Sequence, residues 1–314
     1  MKIIQYLTLL SFLIFSFHLQ AQENADSLEN LLSSEVPQEI NYTSATFKAT
    51  RIINGQSIER MPQGQLDVRF HHRFGAINQG AYGFWGLDIA NIFLSLEYGI
   101  TNWVMVGVGR ANYEKAYDGF VKFSLFRQST GMRNMPFSIS WFSSIAIQSQ
   151  DFPNLSSTQK NSNYPFYSRL SYVHQLLIAR KFNEFISLQL SPTVVHNNLV
   201  PTELDLHNIY ALGIGGRVKL TKRISFNAEY FYVYRPSVNL SRQNPTIPES
   251  LVNQNPLSFG FDIETGGHVF QLLLTNSNWM IEKQFIGQTA DKWNKAGIHI
   301  GFNISRVFDI NHHK

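Results

Sequence analysis

Residues 209–235 read IYALGIGGRVKLTKRISFNAEYFYVYR. In the first limb Tyr210, Leu212, Ile214, Gly216, Val218 and Leu220 fall on one face, and Ala211, Gly213, Gly215, Arg217 and Lys219 on the other. In the second limb Ile224, Phe226, Ala228, Tyr230, Tyr232 and Tyr234 alternate with Ser225, Asn227, Glu229, Phe231, Val233 and Arg235, and only Thr221, Lys222 and Arg223 lie between. Period-two alternation around a tight turn predicts a β-hairpin. Each limb is about twelve residues, longer than the roughly five or six of an ordinary strand and close to the roughly nine to eleven tilted residues that cross a bilayer. One face is greasy, and the other mixes charges with very small residues. On a solvated sheet those glycines only weaken the strand, whereas against a polar lumen they leave room. The tyrosines gather away from the turn, as an aromatic belt at a membrane interface would. The hairpin by itself does not separate a membrane barrel from a soluble sheet.

The same alternation recurs along the chain. Residues 65–74 set Leu66, Val68, Phe70, His72 and Phe74 against Asp67, Arg69, His71 and Arg73. Turning Arg69 or Arg73 toward lipid near the midplane would cost about 2 to 4 kcal/mol each, so the charged face is assigned to the lumen. Further walls are predicted at 92–100, 103–109, 117–126, 137–148, 166–179, 185–195, 257–264, 268–276 and 298–308, which with the hairpin makes twelve. Connections before every second wall are short, while 75–90, 149–165, 196–208, 236–256 and 277–297 are long and polar, with 111–116 the exception. Short turns at one end, long loops at the other and an even strand number are the habit of bacterial outer-membrane barrels. The expected fold is therefore all-β, an antiparallel up-and-down transmembrane barrel of about twelve strands over residues 64–314.

Composition agrees with a lipid-facing wall. Charged residues make up 15% and aromatics 14% of the chain, against roughly 25% charged in soluble domains. A net charge of +4, without a stripe of Lys and Arg, predicts no nucleic-acid partner. Cysteine is absent, which removes disulfides, thiolate metal sites and lipidation of an N-terminal cysteine. Lys2, the apolar run from Ile3 to Leu19 and small Ala21 predict a signal peptide over 1–21. Beyond it there is no run of eighteen apolar residues, so helical spans are excluded. Residues 22–63 read as a periplasmic linker, acidic at first. Within it, residues 46–60 carry Phe47, Ile52, Ile53 and Ile58 among Lys48, Arg51, Asn54 and Gly55, too irregular for a wall strand and suited to a plug or periplasmic cap. Gly301, Phe302, Ile304 and Phe308 resemble an outer-membrane insertion signal, although six residues follow. Outer-membrane lipid and the barrel-assembly machinery are the partners this implies, and the expected location is the outer membrane.

Several segments, TFKATRIINGQSIE at 46–59, HRFG at 72–75, GLD at 86–88, EYG at 97–99, 118–128, LIARKFNE at 177–184 and GFDIETGGHVFQL at 260–272, are similar to an uncharacterised outer-membrane β-barrel family of Bacteroidota, a domain of unknown function. The resemblance implies a barrel from a Gram-negative source. It brings no substrate, activity or site residue.

Parity places Asp67, Arg69, Arg73, Glu97, Asp118, Lys122, Arg169, Arg217, Lys219, Glu229, Asp262 and Glu264 inward. Such side chains could form a charged constriction that selects solutes, or a network that neutralises itself; six acids against six bases favour the second. Asp262, Glu264 and His268 bracket a turn, but at different faces and heights they read as wall and turn residues rather than a metal site. No cofactor is predicted. His71 and His72 point to opposite faces and cannot chelate together, and His312 and His313 form a terminal tail. His174 falls on the apolar face without a reason visible in sequence. No enzyme is predicted: there is no His-x-Ser pair, Ser168 and His174 lie about 20 Å apart along a strand, and Asp205 and His207 are the only close acid and histidine in a loop. The expected function is a passive channel or transport-associated barrel of unassigned solute; the alternatives are a structural or ligand-binding barrel with a filled lumen and, more remotely, an outer-membrane hydrolase.

Overall fold

A computed structural model describes residues 39–151, 164–200, 206–234 and 253–310. The expectations for the leader, the acidic stretch 22–38, Asp205 and the terminal histidines lie outside the described residues. Twelve strands close into one barrel: β2 (Gln65–Ala76), β3 (Ala90–Gly99), β4 (Val104–Ala111), β5 (Tyr117–Phe126), β7 (Ser138–Ile147), β8 (Leu170–Lys181), β9 (Ile186–Asn197), β10 (Asn208–Lys219), β11 (Ile224–Tyr234), β12 (Leu257–Thr265), β13 (His268–Thr275) and β14 (His299–Asp309). Each pairs antiparallel with its neighbours, and β14 closes on β2 through Ile304↔Phe70 and Phe308↔Leu66. Closure satisfies the backbone of every wall strand within the sheet, the condition for burying strands in hydrocarbon. No helix among the described residues is long and apolar enough to cross a membrane. Two three-residue strands, β1 (Ile40–Tyr42) ahead of the barrel and β6 (Ser129–Gly131) in the turn between β5 and β7, pair with each other; neither is announced by the sequence pattern.

The hairpin of residues 209–234 pairs in the register its alternation demands, with Tyr210 opposite Tyr234 and Gly215 opposite Glu229. Its greasy face is exposed around the barrel exterior, together with Leu94, Leu96, Val108, Ile145, Leu188, Leu190, Leu272 and Ile300. Aromatic residues ring this band at both ends. Tyr117, Tyr210, Tyr232 and Tyr234 stand exposed at the end with long connections, and Trp103, Phe126, Phe137, Phe182, Phe185 and Phe308 at the end with short turns. Two girdles flanking an aliphatic band match a bilayer slab, where amphipathic rings favour the headgroup level.

One expectation is corrected at this level, and one gains its explanation. Residues 166–169 form a short 3-10 turn, and the strand begins at Leu170. Arg169 therefore leaves the wall for the rim, where its guanidinium donates to the carbonyls of Gln148 and Gln150 at 3.1 and 3.0 Å and faces Asp151 at 3.8 Å. His174 also gains a reason. It points outward, but its Nδ1 shares a 2.8 Å hydrogen bond with Ser143 Oγ on the adjoining strand, and Trp141 Nε1 donates to the same oxygen at 2.8 Å. A cross-strand partner removes most of the cost of an imidazole on an apolar face.

Candidate functional site: a lumen entered by chain from both ends

Counting inward from the strands, the interior holds two inserted pieces of chain. From the turn end, residues 45–60 run into the barrel as a short loop whose limbs touch through the bridge Arg51↔Gln56, and Thr46 and residues 49–58 are buried. From the loop end, the connection between β13 and β14 folds in a two-turn helix, α1 (Glu282–Gln288), of which Glu282 to Gly287 are buried. The two meet on one carboxylate. Glu282 Oε1 accepts from Arg51 Nη1 at 2.7 Å and from Gln56 Nε2 at 3.0 Å, and all three side chains are closed to solvent.

The loop of residues 45–60 is held in three ways. Phe47, Ile52, Ile53 and Ile58 pack on Met105, Phe120, Phe142, Leu177 and Leu273 of the wall. Basic and polar side chains find wall partners: Arg51 faces Glu97 at 4.0 Å besides Glu282, Thr50 Oγ1 donates to Glu97, Lys48 pairs with Glu264, and Asn54 Oδ1 accepts from Arg73 at 2.7 Å. The wall also grips the main chain. Glu229 accepts the amide N–H groups of Ile53, Asn54 and Gly55 at 3.2, 2.8 and 3.0 Å. Lys122 donates to the carbonyls of Thr50, Ser57 and Glu59 at 3.3, 3.1 and 3.0 Å, and Arg217 to that of Ala45 at 2.9 Å.

The small residues of β10 do not leave open room, contrary to the expectation. A Cβ on Gly215 would stand 2.3 Å from Ile52 Cδ1, and one on Gly213 would stand 2.5 Å from Phe231 Cε1. The hollow between Ile52, Gly55, Gln56 and this strand has no room for a water molecule. Glycine is used here so that a neighbouring side chain can lie flat on the wall.

Near the loop end the interior includes an apolar pocket. Phe285 and Ile286 pack on Val173, Val195, Ala211, Phe231 and Val233, with Phe285 edge-on to Phe231 at 5.1 Å. Lys283 binds Glu114 at 2.6 Å, and the amides of Gln284 and Gln288 donate to that carboxylate at 3.1 Å each. Burial pushes the Glu114 carboxyl upward, but the Lys283 ammonium and the two amides outweigh it and hold it below its ordinary value. Glu114 itself sits at φ +53 in the short connection between β4 and β5, a conformation that costs of order 1 kcal/mol or more and persists where contacts overdetermine it.

The residues assigned inward by parity thus fall into groups. Asp67 and Arg69 pair with each other at 2.6 Å. Glu97, Lys122, Arg217, Glu229, Arg73 and Glu264 find partners on the inserted loop, and Asp262 accepts from Gln271 at 2.8 Å. Asp118 is buried on the same inner surface, and Lys219 is half-buried at the turn end. The wall charges are answered largely by inserted chain, not by one another. Asp262, Glu264 and His268 go to separate partners, His268 lying 6.0 Å from the ring of Phe270, and no cluster of three potential metal ligands occurs among the described residues. Sequence reading missed α1 entirely. Its signal was the spacing of Met280, Ile281, Phe285 and Ile286, an apolar stripe at helical period inside a polar loop.

The chain belongs to the family described as a membrane-bound beta barrel domain (DUF5777), whose model matches residues 47–308. That span includes both the inserted loop from Phe47 onward and the whole wall. No curated protein matches the sequence. Among solved structures, the NanC porin aligns at 10% identity and TM-score 0.44 over 77% of this chain and 98% of that one, and the KdgM porin in complex with disordered oligogalacturonate at 11% and 0.43 over 78% and 99%. The outer membrane protein Omp33 of Acinetobacter baumannii aligns at 10% and 0.39 over 78% and 100%.

Proposed function

We propose that this is a transport-associated outer-membrane barrel, closed at its turn end at rest by residues 45–60 and passing solute alongside α1 when that segment withdraws. The carrying observation is how the segment is attached. Its backbone-to-backbone hydrogen bonds, among the described residues, run within the segment itself, as Ile52 N to Gly55 O at 2.9 Å and Ser57 N to Thr50 O at 2.9 Å, and its hydrogen bonds to the wall all run through side chains. The barrel ladder, closed without it from β2 to β14, loses no strand pairing if it leaves. A polar, charged inner wall then remains, suited to hydrated passage. In this reading the short turns and the N-terminal segment are periplasmic, the chain is exported by its leader from a Bacteroidota cell and inserted by the barrel-assembly machinery, and it performs no catalysis.

Planar-bilayer recording tests the proposal. The full-length protein is expected to be nearly silent, and the double variant Glu229→Gln, Lys122→Met, which releases amides and carbonyls of the segment together, is expected to open in steps. A variant that is folded by heat-modifiable gel mobility and still silent would sink the conduit reading, leaving a permanently filled binding barrel.

A further inference from the structure

The inner wall reads polypeptide main chain in both of its polarities. Six side chains from six different strands are involved: Lys122 on β5, Gln189 on β9, Arg217 on β10, Glu229 on β11, Gln271 on β13 and Asn303 on β14. Glu229 takes three consecutive amide N–H groups. The other five all aim N–H donors at carbonyls, Gln189 at Gln56 (2.7 Å), Gln271 at Ile52 (2.8 Å) and Asn303 at Ile53 (3.2 Å), beside the carbonyl contacts of Lys122 and Arg217.

Buried polar groups are costly unless matched, so a wall carrying this set selects for whatever matches it. A polycation offers donors alone and would leave the lysine, arginine and amide donors unanswered. A polyanion would leave Glu229 unanswered. An oligosaccharide offers hydroxyls of both kinds, but no aliphatic side chain for the apolar patch of Met105, Phe120 and Leu177 and no cation in the place of Arg51 between the carboxylates it faces. A peptide supplies all of these, and its main-chain groups do so whatever its sequence.

We infer that the lumen is a peptide-binding site, with residues 45–60 as its resident occupant and a basic peptide rich in branched aliphatic residues as the ligand class that replaces it. This rests on the conduit reading only in that the resident segment must be able to withdraw.

The test uses the full chain with a protease site inserted between the exposed residues Pro62 and Gln63, folded and then cut, so that the barrel is never assembled without its occupant. Fluorescent peptide 45–60 is exchanged in and followed by anisotropy, with conductance recorded in parallel. The peptide is expected to bind saturably. N-methylation at Ile53, Asn54 and Gly55 is expected to weaken it at least tenfold, as is Glu229→Gln in the barrel. Maltohexaose and spermidine are expected not to compete. Equal competition by either, or equal binding of the N-methylated peptide, overturns the inference, as does failure of the labelled peptide to enter the cut protein that keeps Glu229. Selective peptide binding without conductance would remove the conduit reading alone, and conductance blocked equally by sugar would remove the peptide site alone.

Discussion

Two pieces of chain fill this barrel from opposite ends, and they are held by different physics. The loop of residues 45–60 packs Phe47, Ile52, Ile53 and Ile58 on the wall but is also gripped along its backbone by charged and amide side chains, with Glu229 and Lys122 each holding three of its groups. The α1 segment is fixed through its own side chains, Phe285 and Ile286 in an apolar pocket and Lys283 on Glu114. Apolar packing is lost in full when one large side chain goes. Main-chain gripping is spread over several strands and tolerates change in the gripped sequence while depending on the wall. The contrast teaches that the turn end is built to accept a segment of chain, and the loop end to accept this particular helix.

The largest expected effect is at the loop end. Phe285→Ala should cost about 3 to 5 kcal/mol of α1 docking, read as faster amide hydrogen exchange across 281–288 with little change in 50–57. Equal loss of protection in both segments would show that Glu282 and Arg51 join them into one unit, and the comparison would break. Next comes Glu229→Gln, which trades a charged acceptor for a neutral one. Losing charge-assisted bonds worth about 1.5 to 3 kcal/mol should speed exchange of the Ile53, Asn54 and Gly55 amides ten- to a hundredfold while α1 stays protected.

The smallest effect is a pH response confined to the loop end. Because the Glu114 carboxyl is held below its ordinary 4.5, its contribution to α1 docking is fully present above that value and is lost as pH falls through the lowered one. Protease sensitivity at the loop end should therefore rise in acid below about pH 4.5, and Glu114→Gln should abolish the dependence. A response surviving that substitution would move its origin elsewhere.

Much of the fold was legible because alternation is local. Gly215 opposite Glu229 follows from period two and a short turn, since a one-residue slip would carry every greasy side chain to the wrong face. Strand ends were less so: Arg169 obeyed parity on paper, but a 3-10 turn precedes the strand and takes it to the rim. His174 looked anomalous because its partner, Ser143, lies on a neighbouring strand 31 positions away.

What the sequence alone determined is the barrel, its outward aliphatic band and its inward charges, because in hydrocarbon each wall strand must pair along its length and sort its side chains strictly by parity. Tertiary structure decided what those charges meet. Glu229 finds its amides about 175 positions away, and Arg51 finds Glu282 at a separation of 231. Nothing local marks such partners. Only the closed wall, by excluding water from its interior, makes an irregular loop and a short helix the best answers to the buried charges around them.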